Sequence, residues 1–214
     1  MDYPTLRDRV QKYTVRSDTT FSSMCETFAM LACERIFNGH GKRGDPMYSP
    51  PLRVKEMEQT ETLTTDATGS VAVPDGFLSA RALYVVDQFE PLMLVSADDL
   101  AAVDAAGVTG NANRYAVIDG AIKVAPIQAA TLKLTYFKRP ADASIANPSN
   151  SVMTAYPAVF FSAMLFEAWK FIREPEDAMA ALAATKSAID GANRVAFNAR
   201  VMSGMTNSQF EPIG

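Results

Sequence analysis

The spacing of apolar residues changes twice along this chain, and that change limits the fold more than any other feature. From Thr5 to Tyr13, Leu6, Val10 and Tyr13 recur at intervals of four and three, the mark of one face of a short helix. Ser17 and Asp18 then offer N-cap oxygens to a second helix, in which Phe21, Met24, Phe28, Leu31, Ala32 and Ile36 keep helical spacing to about Phe37. Asn38-Gly39 suits a helix C-cap, and Gly39, Gly41, Gly44, Pro46, Pro50 and Pro51 make the next stretch a loop. Between Arg53 and Lys138 the period falls to two. VKEMEQTETLTTD, ALYVV, PLMLV, YAVID, AIKVA and TLKLTYF read as strands, and Asp119-Gly120 supplies the positive φ angles of a two-residue hairpin turn. SADDLAAVDAA, capped by Ser96 with acidic residues in its first turn, reads as a short helix among the strands.

After the Pro-, Asn- and Ser-rich stretch from Pro140 to Ser151, helical spacing returns in YPAVFFSAMLFEAWKFI. Arg173-Glu174-Pro175 interrupts it, and a last helix follows to about Arg200. The order helices, strands, helices predicts an α+β fold: a bundle of N- and C-terminal helical hairpins with an inserted antiparallel β-domain. The boundaries expected are 1–52 with 140–200 for the bundle, 53–139 for the β-domain, and 201–214 for an extended C-terminal tail. The two hairpins share one core through the apolar faces of Phe21 to Ile36 and of Phe160 to Phe197.

Residues that carry chemistry are sparse. Cys25 and Cys33 lie eight positions apart on one helix, about 12 Å along its axis, too far for a disulfide. With His40 as the only histidine, the usual zinc ligand set is missing, so neither metal nor cofactor is expected. No nucleophile elbow, Walker loop, dinucleotide fingerprint or EF-hand pattern occurs, and the acidic pairs Asp98-Asp99 and Glu176-Asp177 sit where they complement helix dipoles. This predicts no enzyme. There is no run of eighteen apolar residues, and the opening MDYPTLRDRV is charged, so a soluble, unexported chain is expected. The net charge of −4 argues against strong sequence-independent binding to nucleic acid. The charge is uneven: up to Lys55 the chain holds nine basic and six acidic residues.

Several stretches in order resemble the head-tail adaptor, or connector, proteins of tailed bacteriophages. YPTLRDRVQKYTVRSD matches the opening helix and Arg-Ser-Asp junction, and FAMLACERIFNG matches a second helix ending in Ala-x-x-Arg-Ile. LRVKEMEQTETLTTD matches an Arg-x-x-x-Met/Leu-Glu strand, and VAVPDGFLSARALYV, PLMLVSADDL, YAVIDGAIKVAPI and LKLTYFKRP match the strands, helix and hairpin that follow. YPAVFFSAMLFEAWKFIREPEDAMAAL matches the aromatic C-terminal pair, so the likeness runs from Tyr3 to about Arg200. In two places the chain departs from the pattern: it has Arg173-Glu174-Pro175-Glu176-Asp177 where an Asp/Arg-rich turn is usual, and its loop from His40 to Pro51 is longer.

The resemblance implies a structural head-to-tail adaptor: a homo-oligomeric ring, a dodecamer, below the portal protein and above a tail or nozzle protein. Double-stranded DNA would pass through it without sequence-specific binding. It places the chain in the virion neck, and in the host cytoplasm during assembly. The directions of the aromatic side chains on the penultimate helix point to inter-subunit contacts through Phe161, Phe166 and Trp169. In the tail, Met202, Met205, Phe210, Pro212 and Ile213 are the candidate portal anchors, since Ser, Gly, Asn and Pro around them disfavour a helix. Two alternatives stand beside this reading: a tail-completion or neck protein, and a carbohydrate- or receptor-binding accessory module.

Overall fold

A computed structural model describes the backbone of residues 1–208 and the side chains of residues 1–201. In chain order the elements are α1 (Tyr3–Thr14), α2 (Thr19–Asn38), a 3-10 turn (Lys55–Met57), β1 (Glu58–Thr64), β2 (Ser70–Ala72), β3 (Phe77–Val85) and β4 (Met93–Leu94). They continue as α3 (Ala97–Ala105), β5 (Arg114–Ile118), β6 (Ala121–Ala125), β7 (Thr131–Lys138), α4 (Ser151–Ala155), α5 (Pro157–Ile172) and α6 (Pro175–Ser208). The chain divides into two compact units, Met1–Met57 with the chain from Pro140, and Glu58–Arg139. Among the described residues no helix is long and apolar enough to cross a membrane.

The helical unit begins where capping chemistry starts it. Asp2 accepts the Thr5 N–H at the head of α1, and Asp18 accepts the Phe21 N–H at the head of α2. The stripe Tyr3, Leu6, Val10 and Thr14 is buried, as the spacing of four and three requires. Gly39 ends α2 at φ 73°, and a Cβ there would lie 2.9 Å from the Ser49 carbonyl oxygen, so only glycine fits. α2 packs on α5 through Phe37 and Phe160, with ring centroids 6.1 Å apart, and Phe28 lies 5.4 Å from Phe171. The N- and C-terminal helical hairpins therefore share a core. That core does not reach as far as the sequence implies: Leu31, Tyr13 and Phe197 are exposed.

The β-unit holds two sheets, ordered β1-β7-β3 and β2-β6-β5-β4. Leu83, Leu132, Leu134 and Tyr136 of the first share a core with Tyr115, Ile122 and Val124 of the second. Asp119 and Gly120 take φ of 51° and 73° between β5 and β6, the geometry expected of a type I′ turn. β4 and β5 pair in parallel, unlike every other pair. The cause is α3, which carries the chain from the end of β4 back to the start of β5 as a crossover.

Two expected boundaries move, and one helix is added. The strands start at Glu58 and not Arg53, because Leu52, Val54 and Met57 are buried in the helical unit. A short helix, α4, forms within the stretch before Pro157 because Asn150 caps it by accepting the Met153 N–H. The extended tail expected from Val201 is helical as far as Ser208. Ser203 and Gly204 each cost a helix about 1 kcal/mol or less. A helix already under way offsets that, since each added residue brings a hydrogen bond without a new nucleation step.

Candidate functional site

Arg35, the arginine of the Ala-x-x-Arg-Ile element, lies in the interior of the helical unit at 6% exposure. Its Nε stands 3.4 Å from Oε1 of Glu167, itself 5% exposed, and its guanidinium carbon is 4.4 Å from the Phe166 ring centroid. Nη1 also donates to the Met47 carbonyl at 3.5 Å, tying the loop after α2 to the bundle. Lys170 reaches Oε2 of Glu167 from the surface at 2.9 Å. Two cations thus share one carboxylate on the seam between α2 and α5. A buried ion pair adds little net stability, but it punishes any arrangement that separates the partners, so it fixes where α2 lies along α5.

A second lock uses the arginine that opens the next matched stretch. Arg53 Nη1 donates to the Phe37 carbonyl at 2.8 Å and the Leu52 carbonyl at 2.7 Å, and burial pushes its pKa down. The Arg53 N–H donates to Asn193 Oδ1 at 2.7 Å, while Asn193 Nδ2 donates to the Pro51 carbonyl at 2.9 Å. Lys186 bonds the Pro46 carbonyl at 2.8 Å, and Arg200 bonds the Arg53 carbonyl at 3.2 Å. Lys186, Asn193 and Arg200 recur every seventh residue, so they form one polar stripe on α6 that grips the backbone from Pro46 to Arg53. At 34 residues α6 is about twice the length of the 16-residue α5, and this stripe gives its second half a partner. Sequence reasoning passed over the stripe; three polar residues at a heptad interval in an Ala-rich helix are the signal that marks it.

The aromatic residues assigned to inter-subunit contacts separate into two groups. Phe161 and Trp169 are half-buried and lie eight residues apart on one face of α5, and the exposed Tyr13 packs edge-on against Phe161 at 5.9 Å. Phe166 is 1% exposed beneath Arg35, with Lys170 5.1 Å from its centroid. A neighbouring molecule cannot reach it, so its expected inter-subunit role is corrected to an internal one: the helix turns Phe166 toward α2, while Phe161, beside Tyr13 of α1, and Trp169 stay partly exposed. Beyond the core, α6 exposes Val195, Phe197 at 60% and Val201. Of the portal-anchor candidates, Met202 and Met205 stand on the helical backbone of α6 with side chains outside the described residues, and Phe210, Pro212 and Ile213 lie outside them altogether.

Titratable groups do not gather. Among the described residues no three of His, Cys, Asp and Glu are placed to hold a metal ion. His40 spends its backbone on a bridge to Ser49, with both hydrogen bonds at 2.9 Å, and Asp99 belongs to the Ser96 cap of α3. The acids with resolved shifts, Asp2, Asp18 and Asp66, are held low mainly by hydrogen bonds from Thr5, Phe21 and Thr68, all of them local cap or turn contacts. The arrangement is built for position: locks inside, apolar and aromatic groups on outward faces. A family model described as SU10 adaptor protein matches residues 1–207 of the chain. Comparison with curated proteins gives no match.

Proposed function

Since the chain belongs to the SU10 adaptor protein family, a family of phage head-to-tail adaptors, we propose that it is one copy in a ring joining the portal protein to a tail or nozzle protein. Double-stranded DNA passes through this ring, which has twelve copies by the resemblance in its sequence. The single observation that carries the reading is the extent of the match: residues 1–207 take in both units, so the helical bundle and the β-unit together are the adaptor's fold. The family is a structural one and not a family of enzymes.

The surfaces support this role. The exposed Tyr13 with the partly exposed Phe161, and Trp169 further along α5, are aromatic groups of the sort that anchors protein interfaces, and we assign Phe161 and Trp169 to contacts between copies. The net charge of −4 suits a passage through which phosphate must slide without being held. Met202, Met205, Phe210, Pro212 and Ile213 are apolar groups able to anchor in a groove of the portal. The chain then resides in the virion neck, after assembly in the host cytoplasm.

Electron microscopy of the purified chain, alone and mixed with its portal, tests the reading. Rings coaxial with the portal are the expected result, and a portal that stays bare at saturating chain concentration overturns it. Deleting everything after Arg200 is expected to reduce co-sedimentation with the portal at least tenfold while circular dichroism keeps its helical signal. Equal binding by that folded truncation would remove the portal-anchor role from the tail.

A further inference from the structure

The loop between β3 and β4 presents an aromatic side chain with nothing over it. Phe89 is fully exposed, and Val86 beside it is 42% exposed. The loop is not loose at its base. Val86 N–H donates to the Thr131 carbonyl at 2.8 Å, Leu92 N–H to the Leu83 carbonyl at 2.7 Å, and Gln88 N–H to the Val85 carbonyl at 3.0 Å. Tyr84 and Pro91 add an antiparallel bridge, and Asp87 turns the chain at φ 78°. Phe89 is thus held out in advance, flanked by Asp87 and Glu90, neither of which has an ion-pair partner among the described residues.

The helical unit carries a surface of opposite character. A groove of about 510 Å³ lies where α1 turns toward α2, lined by Asp8, Gln11, Lys12, Val15, Arg16 and Ser17. Val15 is 86% exposed and caps α1 in the left-handed region, at φ 54°. For a β-branched residue that conformation is strained, and glycine is the usual occupant, so the chain bears strain to place an apolar side chain in water. Asp8 is engaged by Arg7 at 3.0 Å and Arg16 by Asp18 at 2.8 Å. Lys12, and Arg9 three residues before it, have no ion-pair partner among the described residues.

We infer that the Phe89 loop of one copy seats in the Lys12–Val15 groove of a second copy, a contact that rests on the ring reading above. Phe89 meets Val15, and Asp87 and Glu90 meet Lys12 and Arg9, so apolar surface faces apolar surface and two unpaired anions face two unpaired cations. Neither surface complements itself, since loop on loop would join like charges. The contact is therefore head-to-tail, with each copy offering its loop to one neighbour and its groove to the other, the type that closes into a ring.

Variants with one added cysteine force the question in trans. Phe89→Cys protein is mixed with Val15→Cys protein under oxidised glutathione, alone and with the portal present, while Cys25 and Cys33 stay buried. A disulfide-linked dimer from the mixture, formed at least tenfold faster than from either variant by itself, is the expected result. In parallel, Asp87→Lys with Glu90→Lys is expected to raise the concentration for half-assembly at least tenfold in sedimentation. Adding Arg9→Glu and Lys12→Glu to the same chain should restore it, with circular dichroism confirming each fold. No cross-link from the mixture, or a faster one from Phe89→Cys alone, overturns the contact. If rings appear by microscopy in those samples, only this interface falls; if none appear with or without portal, the ring reading falls with it.

Discussion

The two units of the molecule are held together in different ways. In the helical unit a charged pair, Arg35 with Glu167, lies in the interior, and the half-buried Arg53 and Asn193 hold the backbone of the chain that leaves α2. In the β-unit the core is apolar, and the ion pair between Arg81 and Glu58 lies at its edge, with the Arg81 side chain 39% and the Glu58 side chain 14% exposed. The β-unit takes its geometry from strand register, which alternation and turn type fix. Apolar helix faces carry less directional information than strand ladders, so in this bundle buried polar groups whose separation is costly add to the alignment that packing gives. Buried polarity here serves position more than stability.

The largest expected effect tests that contrast directly. Glu167→Ala leaves Arg35 buried without its carboxylate, and the helical unit is expected to lose about 3 to 5 kcal/mol. Urea denaturation followed by Trp169, the only tryptophan, reads that unit; a loss below about 1 kcal/mol would erase the proposed difference between the units. Next in size is an alkaline effect that the two units share. Tyr3 in the helical unit and Tyr136 in the β-unit both have pKa values pushed up to about 12, chiefly by burial, with the hydrogen bond to Glu61 adding to the rise at Tyr136.

An unfolded tyrosine ionises near pH 10, so each group's contribution is complete below that pH and is lost as pH rises toward 12. The amount is about 2 to 3 kcal/mol per tyrosine. Thermal melts between pH 9 and 12 should show both units softening, and Tyr136→Phe should flatten the dependence of the β-unit alone. The smallest effect is that of Arg81→Ala, expected to cost the β-unit about 1 to 2 kcal/mol: Arg81 is 39% exposed, though its partner Glu58 is only 14% exposed. A loss of several kcal/mol there would show that the β-unit also depends on a charge.

Local chemistry was legible in the sequence. Asp18, Ser96 and Asp119-Gly120 act through neighbours two to four residues away, and their caps and turn stand where spacing and residue type place them. What could not be read depends on distant partners. The alternation of VKEMEQTETL points to a strand from Arg53, yet the Arg53 N–H is taken by Asn193, 140 residues on. Phe166 and Phe161 are both aromatic residues of one helix, and only the position of Arg35 decides which is internal. Phe197 sits in an apolar pattern but faces solvent, because α6 extends beyond what α5 can cover. The portal-anchor candidates rest on composition, which records apolar content without showing a partner.

The helical unit is written in two pieces separated by the whole of Glu58–Arg139. A ribosome therefore delivers α1 and α2 first, then a β-unit with its own core, and only afterwards the α5 and α6 that cover Phe28 and supply Glu167 and Asn193. Until translation passes α6, the nascent chain has a finished β-unit attached to two helices with no bundle to join. A product cut short by a damaged message or an early stop would keep that state, with apolar faces uncovered and Arg35 without its counter-ion. Such a fragment would leave in water the apolar surface that the whole chain buries, so the order of the pieces makes completion of α5 and α6 the step on which the helical unit depends.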